Sequence, residues 1–458
     1  MIPIKLNKIL KAKEKRFFIQ RSLIKKYKNP IICLTLNIPG EKKNGELFYW
    51  TYLQSLKELR KKLEQSGFTI KFQIERITDA GPEAFLVIQG NVLELKRLSV
   101  IIEEKNPLGR LLDIDVYNEN HQPLSRAAVS GKKRTCIICG RGATECIIER
   151  KHSTNEILER MKERIVKYKH NIKISEIIGE NAQKAMFYEL AVTPKPGLVD
   201  LRNCGSHSDM DLLSFIKSSF TLSPYFGFFA ECGLNAANLN SLLKKLRKIG
   251  NEAEKKMFDT TDGINTQKGL LFSIGIIAGA AGFLLKDNSS IVADDIVRTV
   301  TSMAKNLIDY ELYSIKSGLI NPHSNGEKIY ARYGISGIRG EVSNGFPSVM
   351  ERGLPALRES LSKQKALNDS LVHVLIHIMI CLDDTNVIHR GGIESLKLVQ
   401  KRAWEILACG SIFTQKGKNK ILETDSEFIK KNISPGGSAD LLAVTFFIYL
   451  LETSFKDH

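Results

Sequence analysis

The spacing of apolar residues changes once along this chain, between residues 151 and 172, and that change limits it to two domains of different class. Ahead of the change, short β-branched runs alternate with helical patterns. Residues 30–39 (PIICLTLNIP) read as a strand ending at a Pro-Gly turn, and residues 47–67 have apolar spacings of three and four before a glycine cap. Residues 69–80 and 84–90 read as further strands, residues 91–106 as a helix, and residues 111–118 as a strand with acidic residues at alternate positions. Behind the change, long helical segments such as 174–190 and 212–230 are separated by Gly- and Pro-rich loops, and strand signals are nearly absent. The fold class expected is an α/β (α+β) domain over residues 1–160, followed by an all-α helical-bundle domain over residues 172–458.

Charge divides at the same place. The whole chain of 458 residues has a formal charge of +17, and residues 1–170 alone hold 34 Lys and Arg against 19 Asp and Glu. A front domain at +15 suits nucleic acid, an anionic membrane, a polyphosphate ligand or an acidic protein partner. Three apolar runs in the back part, 269–285, 371–382 and 440–451, are at or below the length that spans a bilayer and read as buried helices. Eight scattered cysteines do not form a disulfide framework, and the basic N-terminus lacks the apolar core of a signal peptide, so a cytoplasmic protein is expected.

Two constellations stand out in the front domain. Asp113 and Asp115, in GRLLDIDV, lie two apart on one strand face, where both carboxylates can share a divalent ion and serve phosphoryl or nucleotidyl transfer. A solvent-facing acidic strand is the bland alternative. Cys136, Cys139, Cys146 and His152 form a C-x2-C-x6-C-x5-H set able to hold zinc tetrahedrally, although the spacing matches no standard finger and the cysteines can equally be small apolar residues.

Together, LTLNIPGEKKN (34–44), GRLLDIDV and the Cys/His segment resemble the family that attaches phosphoribosyl-dephospho-coenzyme A to the acyl carrier subunit of citrate lyase. The resemblance covers residues 7–152. It implies a nucleotidyltransferase-like domain in which a carrier serine attacks the inner phosphate of a triphosphoribosyl donor and pyrophosphate leaves. Asp113 and Asp115 would then bind Mg2+, with Arg110, Asn37 and Lys43 near the phosphates. The acidic carrier accounts for the basic charge, so no nucleic acid and no membrane are expected as partners.

In the back domain, five glycine-punctuated polar loops abut apolar helices. Residues 188–211 bring together Lys195, His207, Asp209 and Asp211, an imidazole with carboxylates two apart that can bind Mg2+ or orient a general base; helix capping in this loop is the alternative. DGINTQKG supplies Asn265, Thr266 and Lys268 at a helix start, a polyphosphate cradle of the helix-terminus kind. YGISGIRGEVSNGFP supplies Arg339 and Glu341; DDTNVIHRGG supplies Asp384, Asn386 and Arg390; SPGGSADLLA supplies Ser438 and Asp440. Five such loops point to one pocket at the end of a bundle. His373 and His377, four apart, read as core histidines rather than a metal pair.

TPKPGLVD, GSHSDMD, GINTQKG, GIRGE with GFP, DTN with RGG, and SPGGSADLLA resemble triphosphoribosyl-dephospho-coenzyme A synthase, in order, over residues 174–452. The resemblance implies ATP and 3'-dephospho-coenzyme A as substrates and adenine as leaving group. Substitution at an anomeric carbon passes through an oxocarbenium-like state, which a carboxylate stabilises. His207, Asp209, Asp211 and Asp384 are the acidic and basic centre expected, with Asp209 and Asp211 as Mg2+ ligands. Lys195, Lys268, Arg339 and Arg390 are the expected phosphate contacts. Asn265, Thr266, Glu341, Asn386, Ser438 and Asp440 are expected as further contacts. Where the family often has histidine, this chain has Gln267, so no acid-base role is carried over to that position. The rival reading joins a basic zinc-containing nucleic-acid-binding module to a helical Mg2+-dependent phosphohydrolase or ribosyl-hydrolase; the chain lacks the aromatic platform such a module uses.

Overall fold

A computed structural model describes residues 4–130 and 134–456, and the side chains from residue 7 onward. The chain divides into two compact units, Met1–His170 and Asn171–His458. Unit 1 begins with α1 (Ile4–Tyr27), β1 (Ile31–Leu36), α2 (Glu46–Gln65), β2 (Thr69–Thr78) and β3 (Gly81–Gln89). It continues through α3 (Val92–Lys105), β4 (Leu112–Tyr117) and the short α4 (Ala143–Ile148) into the long α5 (Thr154–Ala191). The four strands form one sheet in the order β2-β3-β1-β4, and every pairing is antiparallel, which makes the unit α+β rather than α/β.

Alternation along the strands sorts side chains to two faces. Ile32, Leu34, Leu86, Ile88, Ile114 and Val116 pack with Phe48, Leu56 and Leu59 of α2, Leu95 and Ile102 of α3, and Met161 and Ile165 of α5. The opposite face places Ile31, Cys33, Phe85 and Val87 against Leu23 and Ile24 of α1. The apolar residues of this face give way to polar ones where β1 ends, and that is where Asp113 and Asp115 lie.

Unit 2 is all-helical among the described residues. After the remainder of α5 come α6 (Leu212–Leu234), α7 (Leu239–Thr260), α8 (Lys268–Leu284), α9 (Ala293–Lys316), α10 (Asn325–Tyr333) and α11 (Gly337–Ser343). A π-helical turn, Ser348–Gly353, leads to α12 (Leu354–Ser362), α13 (Leu367–Cys381), α14 (Thr385–Ala408), α15 (Gln415–Lys430) and α16 (Gly436–Ser454). Helix α8 is buried along nearly its whole length. Its glycines explain how: a Cβ on Gly282 would collide with the Ala230 carbonyl, and one on Gly233 of α6 with the Gly279 carbonyl, so the two backbones touch directly. The apolar runs at α8, α13 and α16 thus become core. By length and composition α16 is apolar enough to cross a membrane, but 61% of its apolar window is buried inside the unit.

Candidate functional site

In unit 1 the strand register builds a polar row across the sheet. Thr35 of β1 lies opposite Glu83 of β3 on one side and Asp113 of β4 on the other, and Arg76 of β2 lies opposite Glu83. Asp115 is one step further along β4, opposite Cys33. The two aspartates therefore share the α1-facing side with Glu83. Glu83 is fully buried and is paired with Arg16 of α1 at 2.7 Å and Arg76 at 3.3 Å. Asp113 is more open and meets Arg134 at 3.2 Å; Arg134 also reaches the buried Glu103. Burial, reinforced by the charge of Asp113, holds the Asp115 carboxyl above its usual range.

The loop after β1 closes this end of the sheet. Asn37 is exposed, and its backbone N–H donates to the Leu111 carbonyl at 2.8 Å. Lys43 turns its ammonium back onto the Ile38 carbonyl, and burial lowers its pKa. Arg110, on a 3-10 turn, donates to the Thr135 carbonyl. The sulfurs of Cys136, Cys139 and Cys146 and a ring nitrogen of His152 lie within 4.8 Å of one another.

In unit 2 a cavity of about 870 Å³ gathers residues from all five loops read in the sequence, among them Lys195, His207, Asn265, Thr266, Lys268, Arg339, Asp384, Asn386, Arg390 and Asp440. This volume is at the upper end of the roughly 300–1,000 Å³ usual for small-molecule sites. Asp384 is the N-cap of α14 and also faces the start of α16. Its Oδ1 accepts from the N–H of Asn386 at 2.9 Å and of Gly437 at 3.2 Å, and its Oδ2 accepts from the N–H and hydroxyl of the buried Ser438 at 2.9 and 3.1 Å. Asp440 is different. It lines the same cavity but accepts no hydrogen bond from the described residues, and its Oδ2 lies so close to Gly269 that a Cβ there would collide. Burial first, and then the charges of Glu189 and Asp384, push its pKa well above the usual carboxylate range.

The cationic groups are already engaged. Lys195 is 1% exposed and its ammonium meets Glu189 Oε1 at 2.5 Å. Lys268 pairs with Glu254 at 2.6 Å, Arg339 with Glu327 at 2.8 Å, and Arg247 with Glu311 at 2.5 Å; all six residues line the cavity. Arg390 orients His207: it donates to His207 Nδ1 at 3.0 Å, to the Ser206 carbonyl at 2.7 Å and to Asn432 at 2.8 Å. Arginine has no acceptor, so Nδ1 carries the lone pair and Nε2–H donates to Ser434 at 2.8 Å. Burial and the Arg390 charge keep this imidazole below its usual pKa.

Two expected residues serve the scaffold, and a third is exposed. Asp211 caps α6, accepting from the Ser214 N–H at 2.8 Å and its hydroxyl at 2.7 Å. Glu341 ties α11 to the π-helical turn through Ser348, at 2.7 Å to its hydroxyl. Asp209 is exposed, 3.7 Å from His207. None of the three lines the cavity. Gln267 is buried in a hydrogen-bond network with Ser218 and Ser219, while Thr266 donates to Ser218 at 2.7 Å and Asn265 accepts from the Lys268 N–H at 3.2 Å. His373 and His377 bond to each other at 3.1 Å, and His373 to Ser411 at 2.9 Å.

Sequence reasoning passed over Glu83, Arg16, Arg134, Glu189, Glu254 and Glu327. Glu83 had a signal, a lone acid inside the otherwise apolar run GPEAFLVIQ; the glutamates of unit 2 look like ordinary helix-surface charges.

Comparison with known proteins gives the same division. Residues 4–168 match the family described as CitX, apo-citrate lyase phosphoribosyl-dephospho-CoA transferase, and residues 175–458 match that described as CitG, ATP:dephospho-CoA triphosphoribosyl transferase. The protein CitXG of Haemophilus influenzae is 36% identical over 97% of this chain and 96% of its own length. That of Leuconostoc mesenteroides subsp. cremoris is 33% identical over 97% of both. A probable 2-(5''-triphosphoribosyl)-3'-dephosphocoenzyme-A synthase of Malonomonas rubra is 41% identical over 62% of this chain and 90% of its own. The chain therefore belongs to the CitXG family, in which an apo-citrate lyase phosphoribosyl-dephospho-CoA transferase and an ATP:dephospho-CoA triphosphoribosyl transferase share one polypeptide.

Proposed function

We propose that unit 2 makes the activated precursor of the citrate lyase prosthetic group and that unit 1 attaches it. In unit 2 the ribose hydroxyl of 3'-dephospho-coenzyme A attacks the anomeric carbon of ATP's ribose; the bond to adenine breaks, and the triphosphate stays on the product. In unit 1 a serine hydroxyl of the acyl carrier subunit attacks the inner phosphate of that product, and pyrophosphate leaves. The observation that carries the reading is the unit 2 cavity, with a crowded carboxyl and ion pairs along one continuous lining.

Asp440 is the group best suited to the anomeric centre. Its raised pKa makes it, once ionised, a stronger base than an ordinary carboxylate toward the attacking hydroxyl, and its charge then opposes the positive charge of the oxocarbenium-like state. Asp384 is a positioning residue: it fixes the start of α16, on which Asp440 stands. The pairs Lys268–Glu254, Arg339–Glu327 and Arg247–Glu311 offer both signs, so the cations can turn to phosphate oxygens. Lys195 keeps Glu189 compensated rather than meeting phosphate. Carboxylate oxygens are the hard donors Mg2+ takes, and Asp113 with Asp115 in unit 1 are the residues that would hold it. Bound there, Mg2+ supplies neutralisation of the triphosphate charge.

Unit 1 is read as nucleotidyltransferase-like on the three carboxylates that its sheet presents on one face, with Arg134 beside Asp113. Its basic surface suits an acidic carrier. ATP as substrate accords with the cytoplasmic location expected. Incubation with ATP, Mg2+ and dephospho-coenzyme A tests the first reaction: free adenine and a triphosphoribosyl adduct are expected, whereas phosphate release without adenine means a hydrolase.

A further inference from the structure

We propose that Cys136, Cys139, Cys146 and His152 form a closed, structural zinc site whose role is to hold Arg134 against Asp113. Three sulfurs and one imidazole nitrogen lie within 4.8 Å of one another. In a tetrahedral zinc site with Zn–S near 2.3 Å, neighbouring sulfurs sit about 3.8 Å apart, so only a small tightening closes the cage. Cys139 and Cys146 already stand 3.4 Å apart, well beyond the roughly 2.05 Å of a disulfide. The Nε2 of His152 is buried and has no hydrogen-bond partner. A buried imidazole nitrogen left unpartnered beside three thiols is costly unless something takes its lone pair.

The backbone is shaped for the same purpose. Gly140 follows the Cys-x-x-Cys pair at φ +73°, the left-handed turn that brings the chain back, and the Ile138 N–H points at Cys136 Sγ at 3.4 Å. Cys146 comes from α4 and His152 from the turn after it. Binding exchanges three thiol protons for one Zn2+ and uses the neutral imidazole, giving Cys3His coordination with no open position, which is the structural type. The link to the sheet is direct. Cys136 N–H donates to the Arg141 carbonyl at 2.6 Å, Ala143 N–H donates to the Arg134 carbonyl at 2.9 Å, and Thr135, whose carbonyl holds Arg110, bridges to Gly142. The turn that zinc would lock is therefore the one that carries Arg134 to Asp113.

The test is metal analysis of the full-length chain purified under reducing conditions without added metal. One zinc per chain is expected, released by a thiol-blocking mercurial. Cobalt substitution should give thiolate-to-metal charge transfer and tetrahedral d–d bands. Cys139→Ser and His152→Ala should lose the metal, while Cys409→Ser, elsewhere in the chain, should keep it. Hydrogen exchange protection of the four unit 1 strands reports that unit 1 of each variant is still folded, and carrier modification should fall by about a hundred-fold when Arg134 is no longer held. Absence of zinc from the wild-type chain, zinc retained in Cys139→Ser, or a Cys139–Cys146 disulfide in the freshly isolated protein would each overturn the proposal.

Discussion

Asp384→Asn separates a scaffold role from a catalytic one. The native carboxylate receives four donors on two oxygens, three of them backbone N–H groups at the starts of α14 and α16. An amide has a single acceptor oxygen. In its better orientation the oxygen keeps the Asn386 and Gly437 donors, the Ser438 hydroxyl rotates to accept from the new NH2, and the Ser438 N–H is orphaned. A buried unsatisfied donor costs about 1–3 kcal/mol. Losing negative charge at two helix N-termini adds about 0.3–1 kcal/mol each. Removing a buried charge returns part of this, since burial holds Asp384 above its usual pKa. The net is about 2 kcal/mol, or a fall of about 3–4 °C in the midpoint of a unit of this size. Calorimetry on the full chain should show that loss in the transition belonging to unit 2, and the variant, assayed well below its midpoint, should retain substantial adenine release. A variant as stable as wild type but inactive would refute the reasoning, because it would make Asp384 a reacting group.

Asp440→Asn should behave oppositely, abolishing adenine release while leaving unit 2 at least as stable as wild type. The sign follows from its raised pKa: the folded chain holds this proton more tightly than the unfolded one, so stability is lost as pH rises from about 4 through the folded value. The variant lacks that loss, and its advantage in calorimetry should grow with pH; equal pH profiles would count against a crowded carboxyl. Arg134→Ala leaves Glu103 its Arg126 partner and its bond from the Ile114 N–H, so unit 1 should lose only about 1–2 kcal/mol while carrier modification falls far more steeply. Equal loss of transfer and of folded protein in circular dichroism would mean that Arg134 is only structural. Gly233→Ala forces α6 off α8 and should cost unit 2 about 1–3 kcal/mol in denaturant titration; no change would mean that the two backbones are not in contact.

Most of the fold could be read because each element announces itself locally. The alternation of β4 placed Asp113 and Asp115 on one face without knowledge of its neighbours. Helix α5 was harder. Residues 153–170 have no strong apolar stripe, since only Met161 and Ile165 there are fully buried, but Ser153 and Glu156 form a reciprocal cap that marks the helix start. The site was legible as loops and illegible as pairings. Nothing local tells that Asp384 and Asp440, 56 positions apart, divide into a saturated and an unsaturated carboxyl. That depends on which donors two helix starts bring to each. Likewise Lys195, singled out as a phosphate contact, is spoken for by Glu189, six residues earlier on the preceding helix, a partner only the turn between them reveals.

The central claim is that two successive transfers take place on one chain, and its most direct test is a stoichiometry. The purified protein is given ATP, Mg2+, dephospho-coenzyme A and an excess of apo acyl carrier subunit, and adenine, pyrophosphate and the intact mass of the carrier are followed together. The account predicts one adenine and one pyrophosphate for each carrier that gains a phosphoribosyl-dephospho-coenzyme A group, with Asp440→Asn stopping all three and Asp115→Asn stopping pyrophosphate release and the mass gain while adenine release continues. Carrier modification without adenine release, or adenine release that Asp440→Asn leaves intact, would contradict it.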